Sequence, residues 1–383
     1  MPKKPTRNAQ GSGTIRQRPD GRWEARYTAG RNPGTGRQIQ RSVYGDTQAE
    51  VLKQLRQIHT AIDSGTYTEP SRMTVADWLD VWLNDYTANI KPSTKDSYTG
   101  RIKHRIKPSL GAVKLTALAP HMVQSFYNSL QPALSAKSIF NIHGILHKAM
   151  QQALELGYIR TNPTAICKLP RVEKPPIKPL DNEQVQAFMA AIKGHKYEVF
   201  YLADMFLGLR QGELLGLTWD CISWTDGTVT VSRQLQFLKG VYTFRPLKNN
   251  KPRRITPAGF VMDILKEHQR KQFEMRIRAG KAWQDGGFVF CNETGEHLSR
   301  STTYHNFKRI CASIGIPERR LHDLRHTFAV MSLQAGDDAK TLQENMGHHS
   351  AAFTLDVYGH VTERMKKESA ARMDAYIDKL KHG

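Results

Sequence analysis

A charge or hydrogen-bonding group set among apolar residues costs free energy unless it has a partner or a task, so such residues mark where chemistry is possible. Arg210 lies between "MFLGL" and "QGELLGL", at a junction of two apolar elements where a helix N-terminus can aim its amides beside the guanidinium. Arg325 lies in "HDLRHTFAVMSL", just ahead of a buried-looking helix, with His322 close by. His348 follows Gly347 in "NMGHHS", and Tyr358 comes ten residues later in "FTLDVYGHV". Two guanidiniums, two imidazoles and a phenol are suited to surrounding one phosphate. Forked guanidiniums bind its oxygens, while the other groups move protons or attack.

Rival chemistries lack their residues. There is no GxxxxGK(S/T) loop, no GxGxxG after a strand and no GxSxG elbow, which leaves nucleotide triphosphates, dinucleotides and the α/β-hydrolase mechanism without support. His322 and His326 have the four-residue spacing of helical zinc ligands, but Asp323 stands where that motif has Glu, and no acidic cluster suits a two-metal nuclease. Cys167, Cys221, Cys291 and Cys311 show neither CxxC spacing nor a disulfide framework. These absences lead us to expect no metal, no cofactor and a reducing cytoplasm. The basic start "MPKKPTRNAQGSG" has no apolar stretch behind it, and the longest apolar runs are too short for a bilayer, so no membrane partner is expected.

The elements that must position these residues are strongly basic. The 383-residue chain carries 56 Lys+Arg against 35 Asp+Glu, a formal charge of +21 with a pI near 9.8, which favours a polyanionic partner. Pro-rich polar stretches at "TYTEPSRM" and "PRVEKPPIKP" read as linkers. They divide the charge evenly, since residues 1–73, 74–177 and 178–383 each net +7. A single basic tail would not distribute itself so; each segment is built to meet a polyanion.

The fold class expected is therefore multidomain. Residues 1–66 form a small α+β domain with a three-stranded sheet, 74–172 an all-α domain, and 178–383 a mainly α domain with a small antiparallel sheet and a C-terminal tail helix. In the first, turns at "RPDG" and "RNPGTG" separate three strands, and Thr47 with Glu50 has capping-box spacing ahead of a helix carrying Val51, Leu55, Ile58 and Ile62. Arg22, Glu24 and Arg26 share one sheet face, so this segment offers Arg16, Arg18, Arg22 and Arg26 to DNA, as β-ribbon readers do. In the second, Thr74 caps a helix with Val75, Trp78, Leu79, Trp82 and Tyr86 as its core stripe, and Ser93 with Asp96 starts another. There Tyr98, Ile102 and Ile106 pack, while Lys95, Arg101, Lys103 and Arg105, with Lys137 further on, face phosphates. In the third, helices from Asp181 and through "YEVFYLADMFLGL" precede a sheet with turns at Lys239-Gly240 and Asn249-Asn250.

Taken in order, "GLRQGELLGLTW", "HDLRHTFA" and "MGHHSAAFTLDVYGH" resemble the Arg, His-x-x-Arg, His and Tyr boxes of the tyrosine recombinases, the phage-integrase family, most of all integrases of conjugative transposons. The resemblance spans nearly the whole chain and implies an arm-site-binding, a core-site-binding and a catalytic domain in that order. It implies that Arg210, His322, Arg325, His348 and Tyr358 are catalytic, that Glu213 braces the site, and that Lys248 in "RPLKNNKPRRITP" is the hairpin lysine, with Lys251, Arg253 and Arg254 near enough to compete. Arg253 is otherwise assigned to DNA contact. Met346 departs from the family's usual Leu, an apolar exchange that leaves the assignment intact. The activity implied is metal- and ATP-independent integration and excision of a mobile element. It proceeds on double-stranded DNA at element ends and target sites, through a 3′-phosphotyrosine and a Holliday junction, by a homo-tetramer with an excisionase-like accessory protein. The rivals are a type IB topoisomerase and a non-catalytic DNA-binding regulator. The tail stripe of Met365, Met373, Tyr376, Ile377 and Leu380 packs on its own domain or, as in the family, docks on a neighbouring protomer. One expectation is testable from charge alone: residues 1–73, expressed by themselves, should retard element-end DNA in a gel at low salt, and failure to do so would count against a separate arm-site domain.

Overall fold

The computed structural model describes residues 14–31, 34–64, 72–173, 177–248, 251–347, 370–371, 373–374, 376–378 and 380–381. The chain divides into two units, residues 1–173 and 174–383, and the first contains two separate apolar cores.

Strands β1 (Thr14–Gln17), β2 (Trp23–Arg31) and β3 (Gln38–Gly45) form an antiparallel sheet in chain order. Ala25 and Tyr27 are buried with Val51 and Leu55 of α1 (Gln48–Asp63), so the helix covers one face. On the other, register sets Arg16 opposite Glu24, Glu24 opposite Tyr44, and Arg26 opposite Ser42. Only half of the expected capping box forms. Thr47 accepts from the Glu50 amide at 3.2 Å, but the Glu50 carboxylate takes the Asp46 amide instead of reaching back to Thr47. Gly45 makes this possible, because a Cβ there would stand 2.9 Å from Glu50 Oε2.

In the helical core, α2 (Val75–Asp85) is capped by a full reciprocal box between Thr74 and Asp77. Val75, Trp78, Leu79 and Trp82 are buried, whereas Tyr86 is the exposed C-cap, so the stripe ends a turn earlier than its spacing suggests. The Trp78 indole donates to the Ala149 carbonyl at 2.8 Å, fixing α2 to the later helix of this bundle. Next, α3 (Pro92–Arg101) follows Lys91 with no side-chain cap; Pro92, whose φ is preset for a helix, takes the start expected at Ser93. A π-helical turn at Ile102–Ile106 leads into α4 (Lys107–Leu110). It keeps Ile102 and Ile106 buried while Lys103, His104 and Arg105 all face solvent. The bundle closes with α5 (Pro120–Leu130) and α6 (Ala136–Glu155).

The second unit begins with α7 (Asn182–Ile192), capped by Asp181 and Gln184, then α8 (Glu198–Leu207) and the short α9 (Gln211–Leu215). The expected single sheet resolves into two. Strands β4 (Ile222–Ser223), β5 (Thr228–Val231) and β8 (Arg253–Ile255) make one, and the hairpin of β6 (Arg233–Leu238) and β7 (Val241–Pro246) makes the other. The reason is non-local: Val231 pairs with Arg253, so the hairpin between them is an excursion. The helices α10 (Gly259–Ala279), α11 (Arg300–Ser313), α12 (Leu321–Ala335) and α13 (Ala339–Met346) follow, and the residues described between 370 and 381 are helical as well. The core joins Phe188, Phe200, Tyr201, Phe290 and Phe307. Among the described residues no helix is long and apolar enough to cross a membrane. Of the tail stripe, Met373, Tyr376, Ile377 and Leu380 are exposed, and Met365 lies outside the described residues.

Gly208 fixes the approach of α8 to α12. It ends α8 in the left-handed region at φ +61°, and a Cβ on it would run into the Phe328 ring of α12. Gly208→Ala should therefore cost at least about 2 kcal/mol, combining left-handed strain with overpacking, read as a lowered urea midpoint.

Candidate active site

Arg210 is the N-cap of α9, and Glu213 stands one turn on at the N3 position. The carboxylate accepts the Arg210 backbone amide at 3.0 Å and its Nη1 at 2.8 Å. Arg253 of β8 donates Nη2 to the same carboxylate at 2.6 Å. Glu213 is 1% exposed, so two guanidiniums share one buried counter-charge. Burial pushes its carboxyl up, but Arg253 and then Arg210 outweigh burial and hold its pKa down to about 2.

The second arginine comes from another element. Arg325 lies inside α12, in its second turn, because the helix already begins at Leu321; Arg320 precedes it and clasps Asp323 at 2.9 Å. The sequence pattern puts Arg325 ahead of the helix, and the arginine at the N-cap, an unusual residue there, hides the true start. Arg325 is 2% exposed and donates to the Gly208 carbonyl and, at 2.7 Å, to the Met346 carbonyl.

Three arginines thus meet the end of α13. Arg253 Nε bonds the Asn345 carbonyl at 2.7 Å, Arg325 the Met346 carbonyl, and Arg210 Nη2 the Gly347 carbonyl at 2.6 Å. The last carbonyls of a helix lack intrahelical partners and carry its negative dipole end, so guanidiniums are their natural complement. Gly347 turns the chain at φ +63°, with Arg253 packed 3.1 Å from where its Cβ would be.

Arg253, expected to contact DNA, is turned toward the protein's own groups. Its side chain is 9% exposed and committed to Glu213 and Asn345. Strand alternation carried the signal, since Arg253 shares a face with Ile255, which is buried. Sequence reasoning also missed Asp204 of α8, 2% exposed on the cleft wall, whose burial raises its pKa well above the carboxylate range against the opposing charge of Arg325.

Arg210 and His322 open onto a cleft of about 1060 Å³ whose other walls include Gln234, Tyr242, Arg300 and Tyr304. The His322 ring meets His326 edge-on at 4.8 Å. Desolvation first, then the charge of Arg325, lowers His322 to about 4, and desolvation followed by His322 lowers His326 similarly. Lys248 is exposed just past the end of β7. His348 and Tyr358 lie outside the described residues. Of the DNA-contact candidates, Arg16, Arg18, Arg22 and Arg26 have side chains 39–60% exposed. Lys103, Arg105 and Lys137 are exposed, whereas Lys95 and Arg101 are half-buried.

These shifts set the acid response. An unfolded imidazole protonates near 6.5, while the folded pair resists until about 4. The unfolded chain binds more protons in that window, so stability should fall as pH drops from 6.5 to 4. Glu213 contributes fully above about pH 4.5 and loses its contribution as pH falls toward about 2. Urea titrations should show both windows, with His322→Gln/His326→Gln shrinking the upper one and leaving the lower one in place. Glu213→Gln should cost about 3 kcal/mol at neutral pH by leaving the buried Arg253 and half-buried Arg210 guanidiniums without their counter-charge.

Two family profiles match this chain. The phage integrase family covers residues 178–365, and the phage integrase N-terminal SAM-like domain covers 74–131. A XerC-like tyrosine recombinase of Caldanaerobacter subterraneus is 28% identical over 91% of this chain and 94% of its own. The ICEBs1 integrase of Bacillus subtilis is 22% identical over 94% and 99%. Among solved structures, the Tn1549 transposon integrase in complex with a circular intermediate DNA matches with TM-score 0.64 at 23% identity, covering 76% of this chain and 99% of that one. The lambda integrase tetramer bound to a Holliday junction matches at 0.57 and 21%, covering 90% and 97%. At those identities the structural likeness is one of fold, but with both profiles and the relatives it leads to a single family: the chain belongs to the phage integrases, the tyrosine recombinases, and is a site-specific DNA recombinase.

Proposed function

We propose that this recombinase integrates and excises a mobile element through a division of labour among its site residues. Arg210 and Arg325 bind the non-bridging oxygens of the scissile phosphate and stabilise the charge that grows in the transition state. Tyr358 attacks phosphorus, forming a 3′-phosphotyrosine and expelling the 5′ oxygen, which Lys248 protonates. His348 completes the phosphate's polar shell. The observation that carries this reading is the convergence of both arginines on adjacent carbonyls, Met346 and Gly347, immediately before the segment bearing His348 and Tyr358. His322, neutral over the physiological range, is fit to accept the Tyr358 proton. Desolvation and, after it, guanidinium charge hold its pKa down; an arriving phosphate offsets the second of these, so its basicity rises when substrate binds.

The phosphotyrosine conserves the energy of the broken ester, so rejoining needs neither ATP nor a metal. DNA duplexes at element ends and target sites, a homo-tetramer on DNA, an excisionase-like accessory protein and a cytoplasmic setting follow from the same reading. The lambda integrase tetramer on its Holliday junction supports the assembly. Residues 1–66, 74–172 and 178–383 would then be the arm-binding, core-binding and catalytic domains, with the surface arginines and lysines setting affinity and its salt dependence.

A nicked suicide substrate should trap a covalent adduct with the full-length protein, and Tyr358→Phe should abolish it. Arg210→Ala should slow cleavage about 10²–10³-fold. Persistence of the adduct after Tyr358→Phe would remove the nucleophile assignment, and supercoil relaxation without strand exchange would favour the topoisomerase.

A further inference from the structure

The outward face of the N-terminal sheet carries an acid at its centre. Glu24 stands mid-sheet between Arg16 of β1 and Tyr44 of β3, on the face away from α1. A carboxylate there repels any polyanion laid across the sheet, the more so as water is expelled. Its surroundings give it another part. Glu24 is only 3% exposed. Its Oε2 accepts Arg16 Nε at 2.8 Å and Nη2 at 2.7 Å, and its Oε1 accepts Ser42 Oγ at 2.8 Å and Arg26 Nε at 3.2 Å.

The carboxylate is thus saturated from three strands. The two guanidiniums it holds are 60% and 50% exposed, and among the described residues their remaining N–H groups have no partner. An arginine fixed on its inner edge presents the outer edge of a planar fork in one orientation, which is what bidentate recognition of guanine O6 and N7 requires. The shift that Ser42, then Arg16, impose on Glu24, down to about 2, keeps it ionised at any physiological pH.

We infer that Glu24 is the positioning residue of a guanine-reading pair, holding Arg16 and Arg26 in the outward geometry with which they grip guanine edges in the major groove. The inference rests on the reading that this sheet meets DNA.

The test uses the full-length protein and a pool of duplexes with randomised centres, selected by binding and sequenced, with poly(dA-dT) as the reference DNA. The Arg16→Ala/Arg26→Ala variant identifies which selected motif belongs to the sheet. Glu24→Gln keeps the shape but cannot accept from both arginines. It should lower the preference for that guanine-containing motif over poly(dA-dT) by about tenfold or more. Its affinity for poly(dA-dT) should hold or rise, because a repulsive charge has gone. Ser42→Ala, which leaves both arginine contacts in place, should cause a smaller loss of the same kind. Unchanged preference in Glu24→Gln, or equal tightening on both DNAs, would show that Glu24 only repels and would overturn the inference. Equal weakening on both would show a general structural role and overturn it too. A double-arginine variant that keeps every motif and its affinity would instead overturn the reading of the sheet as a DNA contact.

Discussion

The catalytic unit depends on one buried carboxylate. Glu213 alone would be expelled from the interior or protonated there. Paired with Arg210 and Arg253 it is ionised, and it ties the start of α9 to β8. Both arginines then reach on to carbonyls at the end of α13, where Arg325 joins them. Charge neutralisation, helix capping and placement of the three arginines are therefore one interaction set. The three carbonyls so held stand just before His348 in the chain.

Mutual dependence of this kind explains how the arginines are held tightly by the protein's own groups. A guanidinium has five donors, and Arg210 spends its inner ones on Glu213 and Gly347 while its side chain remains 26% exposed toward the cleft. In the role proposed for Arg210, preorganisation of that sort lowers the reorganisation cost at the moment of reaction.

How much of the fold and site is legible in the sequence depends on how local each signal is. Thr74 and Asp181 cap their helices where the spacing puts them, because a cap is decided within four residues. The order of Arg210, His322 and Arg325 is legible through the boxes around them. The inward setting of Arg253 is hidden because its partners, Glu213 and Asn345, are distant in sequence, and only its alternation with Ile255 hints at it. The π turn at Ile102–Ile106 is invisible for another reason. Apolar residues four apart look the same whether the turn between them is α or π. The split into two sheets likewise hinges on the pairing of Val231 with Arg253, which no window of neighbouring residues contains.

That same pairing bears on how the chain can vary. Because β5 and β8 close directly on one another, everything between them is topologically a loop whose ends are already joined. Lengthening such a loop adds only a slowly growing entropy cost. The β6–β7 hairpin, with Phe237 and Val241 exposed near its tip, is therefore the place where insertions can accumulate over descent without moving Arg253. New specificity can be tried there while the carboxylate and its two arginines stay in register.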